Sequence, residues 1–241
     1  MQAVLLAAGL SKRLRPLTDH CPKCLLDVGG KSILQRAVEN LVSVGVDELV
    51  LVTGYRREMI HAHMAERFPA LPVRWINNDR FAETNNAYSL LLAEPEAPGE
   101  FLLLDSDILF PVELIRVLIA CPDRPCIALY RHACGEEEIK IACDGSGRMT
   151  DVSKTVDPRE AAGESIGFEL FDRRSRDSLF RTLRHRIADE KRENEFYEAS
   201  FKAMVEEGCD FRAVDISSWP AMEVDTVEDL EQARSLFRSS A

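Results

Sequence analysis

Gln2-Ala3-Val4-Leu5-Leu6-Ala7-Ala8-Gly9-Leu10-Ser11-Lys12-Arg13-Leu14-Arg15-Pro16-Leu17-Thr18 opens as a strand and ends as a loop shaped for a ligand. Residues 2–8 are an almost unbroken apolar run, the pattern of a strand buried on both faces of a parallel sheet. The small residues Ala7, Ala8 and Gly9 at its mouth let backbone approach a ligand closely, and consecutive N–H groups in such a loop form an anion nest. Lys12, Arg13 and Arg15 add positive charge, and Lys23 follows in the same connection. A polyphosphate suits this loop; the plainer reading is a surface loop with snorkelling basic side chains. It lacks the GK[ST] ending of a Walker loop and is not GxGxxG.

The next apolar run, 48–53, lies beyond a helix-like stretch at 33–44 with Ile33, Leu34, Ala37, Val38, Leu41 and Val42 on one face. That is a βαβ unit. A helix at 57–67, a strand at 73–76, a helix at 86–93 and a strand at 101–104 repeat the alternation. The front half therefore predicts an α/β, doubly wound, Rossmann-like sheet flanked by helices, with ligands outside the carboxyl ends of its strands. After Cys121, short pieces at 126–130, 139–143, 149–153 and 165–170 predict an antiparallel or mixed extension of the same sheet. Residues 173–191 predict an arginine-rich helix with a solvated outer face, and Leu179, Phe180, Leu183 and Ile187 at helical spacing. A last amphipathic helix at 227–237 is opened by Thr226, with Asp229 three residues on as a variant capping box. No linker or internal repeat interrupts the chain, so one domain is expected over 1–241, with a nucleotide-binding half at 1–120 and an acceptor-binding half at 121–241.

Bulk properties narrow the class. Of 241 residues, 46% are hydrophobic, enough for a sizeable core. The 30 Lys+Arg against 41 Asp+Glu give a net charge of -11, which argues against nucleic acid or an anionic membrane as the main partner. No apolar run reaches the roughly 18 residues of a membrane span, and no basic segment precedes the N-terminal run, so a cytoplasmic protein is expected. Seven cysteines, an odd number, suggest reduced thiols. Cys21-Pro22-Lys23-Cys24 has CxxC spacing and His61 and His63 sit two apart, but no second CxxC pair follows at zinc-site spacing, so small half-buried side chains are the expected reading.

Two acidic stretches stand out. Asp105-Ser106-Asp107 ends the fourth strand, and Met222-Glu223-Val224-Asp225-Thr226 precedes the last helix. Magnesium takes oxygen ligands, commonly one or two carboxylates plus phosphate oxygens, which suits such a pair. Turn and capping roles are the plainer alternatives.

Together Leu6-Ala7-Ala8-Gly9, Arg13, Pro16, Thr18, Pro22-Lys23 and Gly30-Lys31 resemble the signature AAGxGxRLxPxTxxxPKxL of the nucleotidyltransferases that make NDP-sugars and related activated alcohols. Ser11 stands where that family usually has its second glycine. The resemblance implies a GT-A-like nucleotidyltransferase fold. It further implies that Arg13 and Lys23 bind the NTP phosphates and stabilise charge during attack, that Leu6, Ala8, Gly9, Lys12 and Asp105 hold the nucleotide, and that Asp107 and Asp225 share Mg2+. Asn85-Asn86-Ala87-Tyr88-Ser89-Leu90 resembles the cytidylyltransferases acting on phosphocholine, 2-aminoethylphosphonate and inositol phosphate, implying CTP as donor with Asn85, Asn86 and Ser89 at its base or ribose. Lys154 falls where the wider family keeps a lysine that contacts the acceptor phosphate.

A zwitterionic acceptor needs carboxylates or aromatic faces around its cation. Glu164, Tyr197, Glu198 and Trp219 are the candidates, each with core packing or solvated surface as the plainer role. A small phosphorylated or phosphonylated acceptor is thus the expected partner of CTP. A sugar-1-phosphate nucleotidyltransferase and a non-catalytic nucleotide-binding regulatory module are the alternatives.

Overall fold

The N-terminal apolar run forms β1 (Gln2–Ala7) in the computed structural model, which describes residues 1–238. Ala3, Val4 and Leu5 are fully buried because β1 is an inner strand with both faces covered. Among the described residues the main sheet has nine strands. After β1 these are β2 (Glu48–Thr53), β3 (Val73–Asn77), β4 (Phe101–Asp105), β5 (Cys126–Tyr130), β6 (Lys140–Cys143), β7 (Met149–Ser153), β8 (Gly163–Phe171) and β9 (Arg212–Asp215).

The order across the sheet is β7-β6-β8-β4-β1-β2-β3, with β5 also against β8 and β9 outside β5. Strands β1 to β4 are mutually parallel where they pair, while β8 runs antiparallel to β4, β5 and β6. The mixed, doubly wound sheet expected from the sequence is therefore what forms. Its chain direction of winding reverses between β1 and β4, where Leu6 is in register with Asp105. A crevice opens at the carboxyl ends of strands at such a reversal.

Seven helices cover the sheet among the described residues: α1 (Ile33–Ser43), α2 (Arg57–Arg67), α3 (Asn86–Leu92), α4 (Val112–Ala120), α5 (Arg173–Arg184), α6 (Glu198–Glu206) and α7 (Val227–Arg238). One apolar cluster fills the face under α1 and α4, another the face under α3, α5 and α6. The arginine-rich helix is shorter than its sequence predicts. It ends at Arg184 and continues as one π-helical turn, His185–Asp189, whose Ile187 still reaches the core. No helix of the described residues is long and apolar enough to cross a membrane.

A third, smaller cluster matters most for the site. Leu14, Leu26, Val28, Ile33, Leu109, Val224, Leu230 and Ala233 pack together, joining the connection after β1, α1 and α7. A two-residue ladder pairs Ile108–Leu109 with Met222–Glu223, and Val224 N–H donates to the Asp107 carbonyl at 3.0 Å. These contacts carry the late acidic stretch to the end of β4. The Thr226 hydroxyl accepts from Asp229 N–H while Asp229 Oδ2 accepts from Thr226 N–H at 2.8 Å, the reciprocal pattern of a capping box.

Candidate active site

The loop after β1 leaves donors free. Among the described residues the N–H groups of Gly9, Leu10 and Ser11 make no hydrogen bond to the protein. Ser11 has φ 47° and ψ 54°, the left-handed region that glycine enters without strain. A left-handed residue at this position accounts for the glycine of the resembling signature. The Thr18 hydroxyl donates to the Ser11 carbonyl at 2.9 Å, and the Tyr55 hydroxyl donates to the Thr18 carbonyl at 2.8 Å, so the turn is braced from behind. Gly54 is needed on the same side, because a Cβ there would stand 2.9 Å from the Ala8 carbonyl and 2.7 Å from the Phe81 side chain.

Lys23 sits at the centre. Its ammonium is 2.5 Å from Asp107 Oδ2 and 2.5 Å from Asp225 Oδ1, and Arg13 bonds Asp225 Oδ2 from the exposed side. Burial by itself lowers the Lys23 ammonium, but the two carboxylates outweigh it and hold the group charged. Burial works to raise Asp225, whose carboxyl nonetheless stays below the ordinary range because of Lys23 and Arg13. Burial, with Asp107 and Asp225 beside it, pushes Glu223 up to about 8. Lys23 and Arg13 thus stand among three acidic side chains, Asp107, Glu223 and Asp225.

These groups line one cleft of about 480 Å³. One wall includes Leu6, Ala8, Gly9, Asn85, Asn86, Ser89 and Asp105; the other includes Lys154, Glu164 and Glu198. Asn85, Asn86 and Ser89 are partly engaged by the protein. Asn85 caps α3, Asn86 Oδ1 accepts from Tyr197 N–H at 2.9 Å, and Ser89 Oγ accepts from the buried Asn78 at 3.0 Å. Asn86 lines the cleft, and its Nδ2 is left without a protein partner among the described residues. On the other wall, Glu164 Oε2 lies 2.9 Å from His132 Nε2, and Lys154 Nζ lies 3.3 Å from Glu137.

Three expected residues are not in the cleft wall. Lys12 is exposed and outside the lining, because it starts a short 3-10 turn that directs Leu14 inward. Tyr197 is fully buried; its hydroxyl donates to Asp105 Oδ2 at 3.0 Å, so it braces Asp105 from behind. Gly167, at φ +72°, makes room for that contact, since a Cβ there would lie 2.8 Å from Asp105 Oδ2. Trp219 packs against the apolar cluster under α1 and α4.

Other lining residues were missed by the sequence reading: Asn78, Phe81, Glu138, Phe196 and Glu223. Glu223 had a signal, since it stands two before Asp225 in the quoted stretch; the rest lie on connections with no periodicity to mark them. Cys24 of the CxxC is a buried thiol that burial pushes up to about 12.

Free backbone donors and two cations for a polyphosphate, beside two carboxylates at a strand-order reversal, are the division of labour that defines the nucleotidyltransferase class. Over residues 3–198 the sequence matches the MobA-like NTP transferase domain, and the chain belongs to that family. It is 32% identical over 163 residues to a CMP-5'-(3-aminopropyl)phosphonate synthase of Streptomyces rubellomurinus, a match covering 68% of this chain and 26% of that protein. Against a UTP-glucose-1-phosphate uridylyltransferase of Haloferax volcanii it is 37% identical over 114 residues, 47% of this chain and 46% of that one. The chain thus spans between a quarter and a half of these relatives' length. A solved CTP:phosphocholine cytidylyltransferase from Streptococcus pneumoniae shares the fold, with a TM-score of 0.81 and 23% identity over 98% of both chains.

Proposed function

We propose that this chain is a magnesium-dependent cytidylyltransferase that moves CMP from CTP to a small zwitterionic phosphate or phosphonate, releasing pyrophosphate. The observation that carries this reading is the meeting of Lys23, Arg13, Asp107 and Asp225 at the mouth of a phosphate loop. In it, the N–H groups of Gly9, Leu10 and Ser11 hold the β- and γ-phosphates, with Arg13 and Lys23 beside them. The acceptor's anionic oxygen attacks the α-phosphorus in line. The new P–O bond forms as the bond to the bridging oxygen breaks, and the electron pair leaves with pyrophosphate. That oxygen is already ionised near neutral pH, so no side chain has to take a proton. Lys23 and Arg13 stabilise the charge that gathers on the oxygens of the α-phosphate and the leaving group.

Asp107 and Asp225 suit a divalent cation. Among the described residues no cage of three or more His, Cys, Asp or Glu side chains forms, and two carboxylates completed by phosphate oxygens are the usual set for magnesium. Burial lifts Glu223 first and the Asp107 and Asp225 carboxylates lift it further, and a cation beside those two carboxylates would be favoured. Bound magnesium would supply charge neutralisation to the phosphates. Lys154 is assigned to the acceptor phosphate, and Asn86 Nδ2 to the pyrimidine, whose carbonyl and ring nitrogen accept hydrogen bonds.

Pyrophosphate release, screened with the common NTPs against 2-aminoethylphosphonate, phosphocholine, inositol-1-phosphate and glucose-1-phosphate, tests this function. CTP with a zwitterion is expected to give the highest specificity constant. The 37% identity to a uridylyltransferase supports a second reading, a sugar-1-phosphate enzyme. UTP with glucose-1-phosphate as the best pair would establish that reading instead.

A further inference from the structure

The acceptor wall holds polar atoms that the protein leaves without partners. Glu198 lines the cleft at 6% exposure, and among the described residues its buried Oε2 has no hydrogen-bond donor. Ser165 Oγ, on β8 and in the same lining, is likewise buried and unpaired among the described residues. Buried polar atoms are nearly always satisfied, and an unsatisfied one beside a cleft marks a place for a ligand's opposite group. Carboxyl oxygens want donors.

We propose that Glu198 is the residue that selects a primary ammonium on the acceptor, whose N–H donors complete this unsatisfied carboxyl. The inference rests on the acceptor reading given above. Three observations favour a primary ammonium over a trimethylammonium or an uncharged sugar. A quaternary ammonium has no N–H and prefers a cage of aromatic faces. Among the described residues only Phe81 and Phe196 bring aromatic rings to the lining. Phe81 packs beside Gly54 and the phosphate loop, at the nucleotide end, and the Phe196 ring already carries Lys154 Nζ at 5.4 Å from its centroid. Tyr197, buried in the core, and Trp219, partly buried against it, could have completed a cage but lie outside the lining. Finally, the wall sets Glu137, Glu138 and Glu164, beside Glu198, against Lys154, more acidic groups than basic ones, which an uncharged sugar ring leaves unmet. Burial also holds Glu198 up at about 7, against the pull of Lys154. A bound ammonium would keep it ionised at neutral pH.

The test compares specificity constants for 2-aminoethylphosphonate, its amine-free analogue ethylphosphonate and phosphocholine, in the wild-type protein and in Glu198→Gln. The wild type is expected to favour the amine over ethylphosphonate by at least about tenfold, the scale of a charge-assisted hydrogen bond. In Glu198→Gln that ratio is expected to fall to within about threefold of one. Equal loss with all three acceptors would mean a structural role and overturn the inference, as would an unchanged ratio. A wild-type preference for phosphocholine would overturn it while leaving the cytidylyltransferase reading intact. Failure of every zwitterion to release pyrophosphate from CTP would overturn both.

Discussion

At the scale of single residues, the account stands on Lys23 and its two carboxylates. Lys23→Ala and Asp107→Asn are each expected to lower turnover by at least about a hundredfold, as when a preorganised contact to developing charge is removed. Steady-state pyrophosphate release, with the fold checked by circular dichroism, measures this; near-normal rates would refute the assignment. Ser11→Gly is the opposite case. A non-glycine residue at φ 47° is strained, so the glycine variant should be neutral or up to about 1 kcal/mol more stable in urea denaturation. Gly167→Ala should instead destabilise, because its Cβ would press on Asp105 and on the Tyr197 hydroxyl. Much of the cleft wall was legible from the spaced signature, because each signature residue does a local task. Thr18 braces Ser11, for instance, and small residues at 7–9 open the strand's mouth. Tyr197 and Trp219 take the plainer of their two roles, core packing, since sequence gives an aromatic side chain no direction and here Tyr197 is fully buried while Trp219, partly buried, packs on the core.

Among elements, those with strong periodicity stand where the sequence puts them. The 57–67 helix and the strands at 126–130 and 149–153 match their expected bounds. The sequence reading assigned nothing to α4, because Val-Glu-Leu-Ile-Arg-Val-Leu-Ile-Ala is apolar nearly all round and has no single stripe. It also gave β9 no strand, and for Glu198, a candidate for the acceptor's cation, it held solvated surface as the plainer role; α6 instead buries that residue at its first position. The C-terminal helix carries its own start signal, and Thr226→Ala should cost about 1 kcal/mol through loss of the cap. Because α7 presents Asp225 to Lys23, the same variant should also weaken activity. Chemical denaturation and turnover measured together check this, and a fall in neither would show that the cap does not position the site.

For the whole molecule, buried acids set the response to pH. Burial, with Glu198 and Asp105 nearby, holds Glu169 well above its ordinary 4.5, and burial lifts Glu198 from the same value to about 7. These carboxyls keep protons in the folded state that the unfolded chain releases. Their stabilising effect is complete below about pH 4.5 and is lost as pH rises through the folded values. Asp225, held below 3.8, acts in the other direction: its contribution is present at neutral pH and lost as pH falls. Melting temperature should therefore decline between about pH 5 and pH 8 in the wild type. Glu198→Gln should flatten that decline, gaining up to about 3 kcal/mol at the alkaline end. A parallel decline in wild type and variant would show that Glu198 is not held protonated.

The most direct test of the central claim follows phosphorus. In 31P NMR of the protein with CTP, Mg2+ and 2-aminoethylphosphonate, the account predicts a new pair of coupled signals from a CMP-phosphonate anhydride, growing in step with pyrophosphate. CTP left unchanged beside the phosphonate, or CDP and inorganic phosphate appearing without the anhydride, would contradict it.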